Sequence, residues 1–138
     1  MSMTFDTKIA IVLSDDLETW QKLNVTAFVA GALVGQYDEI IGENYRDASG
    51  REYMPMVIQP IMIYHADARA IRKAYQRALD REVQLAIFTG DLFSTQNDID
   101  NRAAVADKHG DELDLVGLAM RDMKNKVDQV IKGLKLHP

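Results

Sequence analysis

The chain of 138 residues contains no cysteine. No disulfide can therefore brace it, and the absence fits a reducing compartment. Long hydrophobic runs are also missing. The longest apolar stretch, residues 25–34, is too short to cross a bilayer as a helix. Residues 1–8 carry Asp6 and no apolar h-region, so they do not read as a secretion signal. Together these features predict a cytoplasmic protein. Positive charge is scarce: the formal net charge is −5 and the pI about 5.1. Binding to a polyanion depends on Lys and Arg contacts, so this balance argues against nucleic acid as a general partner. No nucleophile elbow G-x-S-x-G, Walker loop or dinucleotide fingerprint occurs. The three histidines, His65, His109 and His137, show no metal-ligand spacing and are not expected to cluster. The acidic stretch Asp98, Asp100, Asp107, Asp111, Glu112 and Asp114 lacks calcium-loop spacing and reads as a solvated loop. Internal repeats, linkers and low-complexity blocks are absent, which leaves one domain over residues 1–138.

What is present is an alternation of apolar runs and amphipathic stretches, with 47% hydrophobic residues to build a core. Residues 8–14 form a near-continuous apolar run that predicts a central strand covered on both faces. Thr19 or Asp16 could cap the helix that follows, and Gly35 is placed to end it near Val34. The second half of that helix is apolar nearly all round, which predicts burial on most sides. Ala27, Ala30 and Gly31 give it a small-residue face suited to close packing. The turn signal Asp47-Ala48-Ser49-Gly50 predicts a short hairpin arm within residues 36–54. A second strand is expected over 61–65, and a helix from Asp67 with Ile71, Ala74, Tyr75, Ala78 and Leu79 on its apolar face. A third strand is expected over 83–88, a short surface helix over 98–109 closed by Gly110, and a fourth strand over 113–119. The last helix would align Met123, Val127, Val130, Ile131 and Leu134. The predicted architecture is an α/β three-layer sandwich: a four-stranded mixed central sheet, helices on both faces, and a small β-hairpin arm. The connection between the third and fourth strands allows either a crossover or an antiparallel return.

In open α/β sheets, ligands gather outside the carboxyl ends of the strands. Two such ends are polar here: Ser14-Asp15-Asp16, and Thr89-Gly90-Asp91 followed by Ser94-Thr95-Gln96-Asn97. A carboxylate there can orient water, and a hydroxyl or amide can hold a substrate oxygen. The same residues also suit structural work, Asp16 as a helix cap and Asp91 in a turn. Trp20 and Phe93 could be exposed stacking residues or packing residues.

Three stretches carry a family pattern. The first strand is followed by Asp16-Leu17 and then a helix reading Leu23-Asn24-Val25-Thr26-Ala27-Phe28-Val29-Ala30-Gly31-Ala32. The third strand leads into Asp91-Leu92-Phe93-Ser94-Thr95-Gln96. The tail carries Leu115-Val116-Gly117-Leu118-Ala119 and then residues 127–136. This resembles the type II peptidyl-tRNA hydrolase superfamily, with G-K-x-A-A-Q-x-x-H-A in the helix and D-A-G-R-T-Q after the third strand. More closely, it resembles a group of short, mostly bacterial proteins within that superfamily known only as a domain of unknown function. The likeness implies a hydrolase of an ester or amide, with Asp91 and Thr95 as catalytic residues and Asp16, Lys22, Asn24 and Gln96 holding substrate. It implies a homodimer, no cofactor and no metal. Asn24 stands where the family has Lys, Phe28 where it has Gln, and Gly31 where it has His. Lys22 is a candidate replacement for the missing Lys. Loss of the Lys removes an oxyanion or phosphate partner. With the acidic charge, this argues against tRNA and for altered or lost activity. The alternative is a non-catalytic module that binds a small molecule or peptide in the same cleft.

Overall fold

The run TKIAIVLS forms β1 (Thr7–Ser14), whose last six residues are all buried. Ile9, Ile11 and Leu13 enter one core cluster while Ala10 and Val12 enter the other. A strand buried on both faces belongs in the middle of a sheet, and β1 is the central strand of five. The computed structural model describes residues 4–138; the first three residues of the segment read for a secretion signal lie outside it. The remaining elements are α1 (Thr19–Gln36), the arm strands β2 (Tyr45–Arg46) and β3 (Glu52–Tyr53), β4 (Ile61–Ala66), α2 (Ala68–Asp80), β5 (Leu85–Thr89), α3 (Asp98–Ala106), β6 (Leu115–Met123), α4 (Lys124–Val130) and β7 (Lys135–Leu136).

The sheet is mixed. β4 runs parallel to β1, whereas β6 is antiparallel to both β1 and β5, and β7 is antiparallel to β4. The return from β5 to β6 is thus antiparallel, so β1, β4 and β5 point the same way and their carboxyl ends share one sheet edge. α1 covers one face through Val25, Val29 and Leu33. α2 and α4 cover the other through Ile71, Ala74, Ala78, Val127 and Val130. Full burial of each larger aliphatic side chain contributes about 1.5–3 kcal/mol, so these two layers hold most of the fold's apolar stabilisation.

Gly117, beside a β-bulge, sets how closely α1 approaches. The β5–β6 register shifts between Phe88 and Thr89, so that Phe88 pairs with Gly117 and Thr89 with Leu115. A bulge breaks the simple alternation of faces. Here it puts Val116 on the α1 side next to Gly117, which already faces α1 in step with Ala119, and an added Cβ on Gly117 would lie 2.3 Å from Val25 Cγ1.

Several sequence expectations need correction. The sheet has five strands, not four, because the tail turns at Gly133 (φ 89°) and adds β7 to the free edge of β4. α4 ends at Val130, and Met123 closes β6 half-exposed rather than opening the helix's apolar face. Glu18 caps α1 in place of Thr19 or Asp16. Its side chain accepts from the Gln21 N–H, and Gln21 Oε1 accepts from the Glu18 N–H at 2.9 Å. This reciprocal pair satisfies two orphan donors at once. α1 runs through Gly35 rather than ending there. The half of α1 expected to be buried on most sides has Ala27, Phe28, Gly31 and Ala32 exposed. Asp67 caps α2 as expected, accepting from the Ala70 N–H at 2.8 Å. The hairpin arm is present, held by Asp47, which accepts from the Ser49 and Arg51 N–H groups and from the Tyr53 hydroxyl.

Candidate functional site

At the shared carboxyl edge, α1 begins on one side and the β5–α3 connection passes on the other. Between them lies a groove of about 370 Å³, within the roughly 300–1,000 Å³ range of small-molecule sites. Trp20, Asn24 and Phe28 face it from α1. They are spaced by four residues, so they stack on one helix face. Phe88 comes from β5, Leu92 and Phe93 from a short turn at Gly90–Ser94, and Thr95, Gln96, Asn97, Asp98 and Asn101 from the connection and α3.

Four aromatic rings form a continuous wall. Trp20 meets Phe93 edge-on at 5.7 Å between centroids, Phe93 lies 5.0 Å from Phe88, and Phe88 lies 6.0 Å from Phe28. Three of the chain's four phenylalanines and its single tryptophan are gathered here. Pairs at these separations each contribute about 0.5–1.5 kcal/mol beyond area burial. Phe88 is buried and anchors the wall, while Trp20 and Phe28 are each 58% exposed. Exposed large aromatics along one groove are the informative kind of exposure.

The opposite rim is polar but nearly uncharged. The Thr95 hydroxyl lies 2.9 Å from the Leu92 carbonyl and contacts the Asn101 side-chain amide. A hydroxyl has one proton, so Thr95 donates to one of these two oxygens at a time. Asn97 caps α3 by accepting from the Asp100 N–H at 2.8 Å. The one carboxylate on the rim, Asp98, is paired with Arg102 Nε at 2.7 Å. The groove thus offers amides and a hydroxyl, with no histidine, lysine or unpaired carboxylate among its lining residues.

Of the six residues singled out in the sequence, the structure brings three to this groove: Asn24, Thr95 and Gln96. Asp91 is outside its lining, with Oδ2 2.8 Å from Lys108 Nζ. That contact raises the Lys108 ammonium above its usual range, chiefly through the hydrogen bond to Asp91. Asp16 is exposed, its N–H donating to Ser14 Oγ at 3.2 Å, and does not reach the groove. Lys22 lies two residues from Asn24, about 200° around the helix, and contacts His137 Nε2 at 3.0 Å. The histidines also correct the sequence reading: the rings of His65 and His137 lie 5.7 Å apart. Sequence reasoning missed Phe28 and Phe88 as groove residues. The i, i+4, i+8 spacing of Trp20, Asn24 and Phe28 was the available signal.

No helix among the described residues is long and apolar enough to cross a membrane. No group of three or more His, Asp or Glu among them is arranged to hold a metal.

No curated protein matches the chain. Among solved structures, the protein of unknown function Atu0240 from Agrobacterium tumefaciens strain C58 is similar, with 45% sequence identity and a TM-score of 0.95. The match covers 98% of this chain and 100% of that one. Residues 7–138 match the family model described as a protein of unknown function, DUF2000, and the chain belongs to that family.

Proposed function

We propose that this protein is a binding module whose edge groove takes a small, planar, aromatic ligand or an aromatic residue of a peptide. The observation that carries this reading is the four-ring wall facing a rim of uncharged amides. Aromatic faces supply affinity for a flat apolar group, and a few placed polar groups fix its orientation. Asn24 on the α1 side and Gln96 and Asn97 opposite would hydrogen-bond the ligand's amide or hydroxyl functions. Binding is favoured over catalysis because no histidine or lysine lines the groove and its one carboxylate, Asp98, sits on the solvent-exposed rim beside Arg102.

Trp20 is the chain's only tryptophan and sits on the groove wall, so its fluorescence reports on this site alone. Titration with N-acetyl-phenylalaninamide should change the emission saturably. Phe93→Ala and Asn24→Ala should each weaken the response. An emission that stays flat with neutral aromatic amides, or equal responses from wild type and Phe93→Ala, would defeat the proposal.

One observation keeps a hydrolase reading, with ancestry in the type II peptidyl-tRNA hydrolase-like superfamily, as the second choice. The Asp91–Lys108 pair is partly exposed, at 43% and 35% of the side chains. An exposed pair of this kind is weak, so Asp91 could swing toward Thr95. Turnover of model esters that disappears in Asp91→Ala would favour that reading over simple binding.

A homodimer is part of the proposal. From Leu23 to Gln36 the helix α1 carries no charged residue, yet Leu23, Ala27, Phe28, Gly31 and Ala32 are exposed. The arm adds exposed Tyr45, Tyr53, Met54 and Met56. Charge-depleted apolar surface is typical of an interface core. A monomeric mass by light scattering at high concentration would remove this part.

A further inference from the structure

On the other side of α1 from the groove, four ionisable side chains from four separate stretches meet at the same sheet edge. Asp15 follows β1, Lys22 lies in α1, His65 is near the end of β4, and His137 follows β7. Asp15 Oδ1 is 2.8 Å from His65 Nδ1. The His65 and His137 rings meet edge to face at an interplanar angle of 71°. His137 Nε2 is 3.0 Å from Lys22 Nζ, and His137 Nδ1 is 3.0 Å from the Pro138 backbone oxygen.

The chemistry of these contacts fixes several protons. An ammonium has only donors, so His137 Nε2 accepts from Lys22. The His137 proton then sits on Nδ1 and donates to Pro138. Asp15 accepts from His65 Nδ1–H, which leaves His65 Nε2 turned away from the carboxylate. Among the described residues, no carboxylate lies within 4.0 Å of Lys22 Nζ. The Asp15 carboxylate is engaged by His65, and the Glu18 carboxylate by the first turn of α1. In a chain of net charge −5, this edge therefore presents a half-buried ammonium whose partner is an imidazole rather than a counter-ion. The position is also the carboxyl end of β1 and β4, a parallel pair, where α/β sheets collect ligands.

We propose that Lys22, His65 and His137 form an oxyanion cradle, with His65 oriented by Asp15, that receives the carboxylate or phosphate group of a small ligand. On binding, the Lys22 ammonium turns from His137 Nε2 to the ligand oxygen, and His65 and His137, whose Nδ1–H groups are held by Asp15 and Pro138, each take a proton from solvent at Nε2 and donate that N–H to the ligand. β7 is part of the site. It brings His137 to the edge by pairing with β4, and the His137 N–H donates to the Ile63 carbonyl at 2.9 Å. The cradle is independent of the aromatic groove, because Lys22 and Asn24 leave α1 on different sides.

The test uses the full chain and imidazole ¹H–¹⁵N correlation spectra. It is titrated separately with inorganic phosphate and with acetate, against sodium chloride at matched ionic strength. The proposal expects saturable shifts of His65 and His137, with His109 unmoved, for at least one of the two anions. The stronger of the two identifies the preferred head group. Lys22→Met should melt like the wild type and lose affinity at least tenfold, whereas Lys124→Met, at an exposed lysine at the start of α4, should leave the affinity unchanged. His137→Ala, which removes the cradle from the tail side, should abolish the anion-dependent shift of His65. Shifts that chloride reproduces, or an affinity that survives both Lys22→Met and His137→Ala, would overturn the proposal.

Discussion

Replacing Gly117 by Ala tests whether the bare backbone at this position of β6 governs the seat of α1. The new methyl would stand 2.3 Å from Val25 Cγ1 and 3.5 Å from Phe88 Cβ. The first distance is far inside van der Waals contact, and both neighbours belong to the buried layer under α1. Overpacking a dense core by one methyl costs about 1–3 kcal/mol, and with the crowding atom fully buried the upper half of that range is expected. Val25→Ala alone should also destabilise, because it empties the same space. The double variant should be less destabilised than the two singles summed, with a coupling of at least about 1 kcal/mol, since the alanine methyl fills the vacated volume. Urea unfolding of the four proteins, followed by far-ultraviolet circular dichroism, supplies the cycle. Additivity within about 0.5 kcal/mol would refute the claim that Gly117 and Val25 compete for one space.

Four further outcomes follow. The Thr89 hydroxyl is buried and has no hydrogen-bond partner among the described residues. Thr89→Val keeps the shape and should hold stability level or raise it by up to about 1 kcal/mol in the same urea assay. Asp91→Asn should leave aromatic binding at Trp20 unchanged and keep the urea midpoint close to that of the wild type, as expected for an exposed pair. In the arm, the Asp47 carboxyl is held below its usual value of 3.8, first by the Tyr53 hydroxyl and then by the Arg51 N–H. A depressed carboxyl contributes order that is full above pH 3.8 and fades as pH falls through the lower folded value. Tyr53 ring resonances should therefore remain ordered in mild acid and collapse only in strong acid, and in Asp47→Ala they should be averaged at neutral pH as well. Lys8 is raised above its usual range, chiefly by its hydrogen bond to Asp128. That contribution is complete below pH 10.5 and lost as pH rises through the raised value, so Lys8→Met should flatten the alkaline end of the stability curve.

The parts of the fold that sequence made visible are those whose local pattern and tertiary role agree. β1 and β4 are apolar runs buried in the sheet, and α2 starts at a strong Asp cap with an apolar stripe on one side. The arm follows from a turn of Asp and Gly. β7 was invisible because two exposed residues carry no periodicity, and only the Gly133 turn and the free edge of β4 make it a strand. α1 misled for a different reason. Its apolar content is high on every side, so composition predicts burial, while the sheet has room for only the Val25, Val29 and Leu33 face.

The candidate site was half legible for similar reasons. The polar run Ser94-Thr95-Gln96-Asn97 at a strand end pointed to the edge where the groove lies, since β1 and β5 point the same way. Side-chain direction on a helix then separated Asn24 from Lys22, which motif spacing alone treated as equivalents. The His65–His137 contact depends on β7 and could not be read from two histidines far apart in the chain.

The most direct measurement of the central claim is amide ¹H–¹⁵N mapping of the full chain during titration with N-acetyl-phenylalaninamide. Binding in the aromatic groove predicts that saturable shifts concentrate at residues 20–28 and 88–101, and that Phe93→Ala removes them. Shifts confined to the arm, or spread weakly over the surface without saturation, would contradict it.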